Sequence, residues 1–196
     1  MKRIDALRRI VVKTPDVPVV ATCAATSREL ASIDDRANHL YLLDAMGLAI
    51  SVATGIAQAT ADSAIARTVV IEGDGSLLMN PGAAITAGYL APENLVIVLL
   101  DNGVYASTAG IPTQAQKIDL GRFAEAVEVQ VVRVDTEELL DKALQQTFEA
   151  PGPWLIHARI DPGNEPGTPL LLIDPVVHGH RFQQWLTFHQ RLTTVA

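Results

Sequence analysis

Two short stretches of this chain combine residue types able to hold an anion and a cation side by side. The first is Glu72-Gly73-Asp74-Gly75-Ser76, which follows the apolar run 68–71. Glycines on both sides of Asp74 let the backbone come close to a ligand and offer N–H groups to negative charge. The second is Asp101-Asn102-Gly103, directly after the apolar run 95–100. A carboxylate and a carboxamide are hard oxygen donors, suited to Mg2+ or Ca2+ and poorly suited to zinc. Mg2+ takes a few protein oxygens and fills its octahedron from phosphate and water, so two side chains and one carbonyl suffice. Each stretch alone also reads as a tight turn. A cation held together with a phosphate is the reading that uses both.

Other reactive residue types carry less. Cys23 is the only cysteine, which excludes an intramolecular disulfide, and in its apolar stretch it reads as a small buried hydrophobe. His39 precedes a strand end, His157 falls inside an apolar run, and His178, His180 and His189 fall on the tail. His178 and His180 stand two apart with no third metal ligand nearby, so they read as solvated residues. Tyr105 and Ser107, just past Asn102, are candidates for substrate contact.

The elements that must position these residues follow from the hydrophobic pattern. Apolar runs of strand length recur at 17–21, 68–71, 95–100, 129–134 and 154–160. Most are continuous and β-branched, as in strands buried on both faces. Helix-like segments lie between them at 2–12, 45–58, 81–90, 120–127 and 136–149, the last with Thr136 as an N-cap ahead of Glu137 and Glu138. This alternation predicts an α/β fold, a doubly wound parallel sheet with helices on both faces. Ligands of such sheets bind beyond the carboxyl ends of the strands. The loops 22–27, 44–47, 73–80 and 101–113 are therefore where chemistry belongs. Residues 161–175 are rich in Pro and Gly and predict an extended segment, leading to a short helix around 181–192.

Composition narrows the function classes. The 196 residues, 48% hydrophobic, make one domain. Fifteen basic against twenty-two acidic residues give a net charge of −7 with no basic stripe, which argues against a nucleic-acid partner. The longest apolar run is six residues, where a membrane span needs about 20. Residues 1–18 carry no apolar segment of the signal-peptide kind, so a cytoplasmic protein is expected.

The stretch from Gly73-Asp74-Gly75 to Asn102, thirty residues inclusive, resembles the diphosphate motif of thiamine-diphosphate-dependent enzymes. Thr26-Ser27-Arg28-Glu29-Leu30, Ala45-Met46-Gly47-Leu48-Ala49, Leu77-Leu78-Met79-Asn80 and Asp101-Asn102-Gly103-Val104-Tyr105 are similar to the β subunit of sulfopyruvate decarboxylase, with phosphonopyruvate decarboxylase the next pattern. The resemblance implies that Asp74, Asn102 and the main-chain carbonyl of Val104 hold Mg2+. Gly73, Gly75 and Ser76 would hold the diphosphate of thiamine diphosphate, approached from the other side by Thr26. Met46 would be the apolar wedge beneath the cofactor, although it fits core filling equally well. The carbonyl of Asp44, with Ala45 beside it, would accept from the aminopyrimidine, and Tyr105 would lie against the cofactor.

The implied activity is non-oxidative decarboxylation of a 2-oxoacid substrate. In the family, an activating glutamate belongs to a second, pyrimidine-binding domain, and no such domain is legible here. A partner subunit carrying it is implied, in an α/β hetero-oligomer that also leaves room for homodimer contacts. Three positions depart from the family pattern. Gly is usual where Asp44 and Ala24 stand, and the polar stretch before Pro112 has Ile111 in place of Gln, which predicts a different substrate. A second reading is a cofactor-binding or regulatory subunit without turnover. A third is an unrelated doubly wound protein holding another phosphate ligand or a structural cation.

Overall fold

The computed structural model describes residues 1–191. Six parallel strands form one sheet: β1 (Val19–Ala21), β2 (His39–Tyr41), β3 (Thr68–Gly73), β4 (Leu95–Asp101), β7 (Gln130–Val134) and β8 (Trp154–Arg159), in the order β2-β1-β3-β4-β8-β7. A small antiparallel pair, β5 (Val104–Tyr105) with β6 (Ile111–Pro112), hangs from the end of β4. The doubly wound parallel sheet expected from the apolar runs is therefore present.

Its central strands are apolar throughout, yet their side chains sort by alternation. Val96, Val98 and Leu100 of β4 join one core with α1 (Arg3–Lys13), α2 (Ala25–Ile33) and α7 (Glu137–Glu149). Leu95, Ile97 and Leu99 join the opposite core with α3 (Ala49–Ala59), α5 (Gly82–Leu90) and α6 (Leu120–Ala126). Both faces are covered, so nothing selects polar residues at alternate positions. Alanines line α3 and α5 where they pack, and a side chain at Gly88 would stand 1.7 Å from the carbonyl of Val127. Small residues bring this layer close to the sheet. No helix among the described residues is long and apolar enough to cross a membrane.

The structure departs from the sequence expectations where polar or strained residues act. The 45–58 helix starts only at Ala49, because Asp44 and Gly47 take positive φ values of 57° and 76° in the preceding turn. Helix α2 grows out of what reads as a loop, since its buried Thr26, Ser27 and Glu29 break the apolar pattern. Helix α8 (Pro175–Arg191) begins six residues before the expected 181, with the Asp174 carboxylate accepting from the N–H groups of Val176 and Val177. Asp before Pro is an N-cap followed by the residue suited to the first helical position. The expected end at 192 lies outside the described residues.

Helix α8 docks on the edge strand β2. The buried His178 accepts the Tyr41 N–H through Nε2 at 2.9 Å, and its ring stacks on Tyr41 with centroids 4.9 Å apart. His178 is thus part of the packing and not a solvated tail residue. Arg181 pairs with Asp35 at 2.6 Å, and Tyr41 donates its hydroxyl to the same carboxylate. Beneath them His39 is fully buried, touching only the Tyr41 hydroxyl with Nδ1, and its Nε2 has no partner. Burial depresses its pKa from 6.5 to about 4, and burial lowers that of His178 as well.

A depressed folded-state pKa means the unfolded chain binds the extra proton first as pH falls. Stability should therefore be complete above pH 6.5 and decline down to about 4, by about 3 kcal/mol for His39 alone. Denaturant midpoints measured across this range check the slope, and His39→Phe should flatten it.

Candidate cofactor site

The chain runs outward from β1 to β2, then returns past β1 to lay down β3 on its other side. The crevice beyond β1 and β3 is the switch point of the sheet, where doubly wound folds bind ligands. A cleft of about 110 Å3 lies there, lined by Thr26, Met46, Gly73, Asp74, Gly75, Ser76, Asn102, Val104, Tyr105 and Ser107 among others. Residues from Arg3 to Ile160 are thereby brought to one cleft. Of the remaining expected residues, Asp44 lines an adjoining hollow, and Ala45 is not among the residues lining either.

A buried carboxylate organises this wall. Glu72, the last but one residue of β3, is 1% exposed, and burial pushes its pKa up. The Gly73 N–H donates to the carboxylate at 3.0 Å, and the Ser76 and Thr22 hydroxyls and the Ile50 N–H stand close enough to oppose the rise. Ser76 also accepts from the Gly47 N–H at 2.8 Å and from the Thr22 hydroxyl at 3.1 Å, while Asn80 donates to the Gly47 carbonyl. The loops after β1, β2 and β3 are thus one hydrogen-bonded unit. The Ser76 hydroxyl is committed inside it. What Ser76 and Gly75 have for an anion is their backbone N–H groups in the first turn of the six-residue helix α4 (Asp74–Met79). Sequence reasoning passed over Glu72, although an acid inside a strand of otherwise buried residues is a sign of such a network.

The oxygen donors sit on two turns. Asp74 is 2% exposed, and the Thr113 hydroxyl donates to its Oδ2 at 2.6 Å. Burial raises its pKa; Thr113 opposes the rise and the nearby Asp101 adds to it. The second turn is held from within. Asp101 accepts from the Gly103 N–H, Asn102 from the Val104 N–H at 3.0 Å, and Thr113 donates its N–H to the Gly103 carbonyl. Although burial opposes it, His157 and Arg159, each 2.8 Å from Asp101, keep that carboxylate ionised below its ordinary range.

A diphosphate with a divalent cation fits these residues. The donor set is a carboxylate, a carboxamide and a carbonyl, all hard oxygens. Apart from its two chain neighbours, no residue lies within 4 Å of where a Gly73 side chain would begin, so the backbone is bare there. Thr26 is nearly buried, and its hydroxyl has no partner among the described residues. Gly75 has a different reason, since a side chain on it would stand 2.6 Å from the Tyr105 ring. No cluster of three His, Cys, Asp or Glu exists among the described residues, which leaves no soft metal site. Cys23 lines the cleft, but burial, then Asp44 and Glu72, raise its pKa and keep it a thiol. Ile111 is exposed on β6 opposite Tyr105 and does not line the cleft.

Fold and site together define an α/β domain with a cleft lined by oxygen donors and bare backbone at the switch point of a parallel sheet. The chain belongs to the thiamine pyrophosphate enzyme family: residues 21–158 match its C-terminal TPP binding domain. It is 41% identical over 164 residues to the sulfopyruvate decarboxylase subunit beta of Methanothermobacter thermautotrophicus, covering 84% of each chain. It is 39% identical over 187 residues to the phosphonopyruvate decarboxylase of Streptomyces viridochromogenes, covering 94% of this chain and 46% of that one. The chain thus spans about half the length of that relative. Among solved structures, benzoylformate decarboxylase from Polynucleobacter necessarius superposes with a TM-score of 0.73 at 15% identity, over 85% of this chain and 34% of that one.

The two positions where glycine is usual in the family both carry strained backbone. Asp44 has φ 57°, a left-handed value that a short polar side chain tolerates. Ala24 has φ 64° and ψ −132°, a region natural only to glycine. Ala24→Gly should relieve this strain and raise the free energy of unfolding by about 1 kcal/mol, net of glycine's greater freedom in the unfolded chain. A shift of the urea midpoint upward checks it.

Proposed function

We propose that this chain is the thiamine-diphosphate- and Mg2+-binding subunit of a 2-oxoacid decarboxylase of the sulfopyruvate or phosphonopyruvate type, working with a pyrimidine-binding partner subunit. The observation that carries the reading is the meeting of Asp74, Asn102 and Val104 with the bare backbone of Gly73 at the switch point. Asp74 and Asn102 hold the cation with their side-chain oxygens and Val104 with its carbonyl. The N–H groups of Gly75 and Ser76 and the Thr26 hydroxyl take the diphosphate. Met46, 36% exposed on the cleft wall, gives the cofactor an apolar support. Thiamine diphosphate, when bound, supplies the electron sink for loss of carbon dioxide from a 2-oxoacid. The chain's own contribution is orientation, and charge balance for the diphosphate.

Two observations support a partner. The chain matches about half the length of a phosphonopyruvate decarboxylase but most of a protein named as the beta subunit of sulfopyruvate decarboxylase. Helix α5 buries Ala83, Ala84, Ala87 and Gly88 yet leaves Ile85 and Leu90 half exposed and Tyr89 87% exposed. Large apolar side chains at such exposure mark an interaction surface. The reading without turnover is disfavoured by Ile111, which stands outside the cleft, so that loss of an amide there removes nothing from the cleft wall.

Asp74→Ala should abolish Mg2+-dependent thiamine diphosphate binding, a loss of at least about a hundredfold in affinity by calorimetry on the assembled enzyme. Retained affinity refutes the site, and binding of ATP or NAD in place of thiamine diphosphate refutes the cofactor. Carbon dioxide release from sulfopyruvate or phosphonopyruvate by the assembled enzyme tests turnover.

A further inference from the structure

A second hollow, of about 790 Å3, opens beside the cofactor cleft and shares Ala24, Ala106 and Ser107 with it. Its polar wall is built differently from that of the cleft. Arg28, on α2, is half-buried and lines it. The other arginines up to Arg181 are each held in an ion pair or, for Arg67, by backbone carbonyls. Arg28 alone of these has neither, among the described residues. Ser107 likewise has a hydroxyl with no partner. Asn164 reaches the hollow from the extended segment, and Arg3 holds its Oδ1 at 2.7 Å. With the carbonyl end of that amide fixed, its N–H2 is the donor left over.

The hollow therefore offers one guanidinium and two neutral donors without acceptors of their own. The geometry points to a subsite for a tetrahedral oxyanion, the sulfonate or phosphonate at the far end of a 2-oxoacid, with Arg28 as counter-charge and Ser107 and Asn164 as neutral donors. Three donors match the three oxygens of such a group, whereas a carboxylate offers two. Hydrogen bonds to a charged group are the strong ones, and a guanidinium suits an oxyanion better than an ammonium does. Asp44 lines the same hollow and opposes an anion that comes close to it. The subsite deepens the decarboxylase reading, on which it rests for the substrate's reacting end, by assigning its other end to residues of this chain.

The test uses the assembled enzyme, with thiamine diphosphate and Mg2+, and probes that lack the 2-oxo group and cannot react. Calorimetry compares 3-sulfopropionate and 3-phosphonopropionate with propionate and succinate. The wild-type chain should bind one of the tetrahedral anions at least about tenfold tighter than either carboxylate. Arg28→Gln should erase that preference without changing thiamine diphosphate affinity, Arg28→Lys should keep part of it, and Asp44→Asn, which tolerates the left-handed backbone, should tighten anion binding severalfold. Equal affinity for propionate, best binding of succinate, or a preference that survives Arg28→Gln overturns the subsite. Thiamine diphosphate binding is read in the same samples, and its failure overturns the cofactor assignment while the anion preference is still measured.

Discussion

A carboxylate removed from water must be hydrogen-bonded, and the rest of this site follows from that demand at Glu72. It lies next to the end of the central strand β3, where both faces of the sheet are covered and solvent is out of reach. Beside it the loop after β1, the turn after β2 and the helix after its own strand are joined through the Ser76 hydroxyl. Three loops that each could have wandered are thereby fixed relative to one another before any ligand arrives. Asp101 does the same at the end of β4, where His157 and Arg159 of β8 and the N–H of Gly103 share one carboxylate. The groups proposed for cation and anion stand directly beside these buried acids, so the cleft wall is held by neighbours that do not themselves line it.

The framework was legible because buried parallel strands leave an unmistakable record. Runs such as 95–100 mark strands whichever way the helices lie, and the turn residues that follow them mark the site. Asp74 and Asn102 could be picked out by their chemistry alone. What escaped were features set by tertiary contact. Strand β2 has three residues, its short apolar stretch 40–43 does not by itself distinguish a strand from a buried turn, and its place is fixed by pairing with β1. The apolar pattern of helix α2 is interrupted by Glu29, whose burial makes sense only with Arg3 against it at 2.7 Å. The role of the Ser76 hydroxyl could not be read without knowing that Glu72 and Gly47 lie beside it, and Arg28 is informative only because every comparable arginine found a partner.

Strain and function share an address. The two non-glycine residues forced into unusual backbone near the site, Ala24 and Asp44, flank the crevice on the β1 and β2 sides and both line the adjoining hollow. The chain retains the loop shapes that glycine would give freely, at a cost of about 1–3 kcal/mol for a position such as Ala24. Such loops persist because the hydrogen bonds around Ser76 and Gly47 over-determine them.

The terminal helix has a bearing on assembly. An edge strand with open N–H groups is a template on which another chain can add a strand. At β2 that template is closed: His178 takes the Tyr41 N–H, and α8 lies along the strand that would otherwise be the sheet's free border. The sheet cannot be extended from that side. Association there is turned away from strand addition and toward the helical layers, where the exposed apolar side chains of α5 already lie.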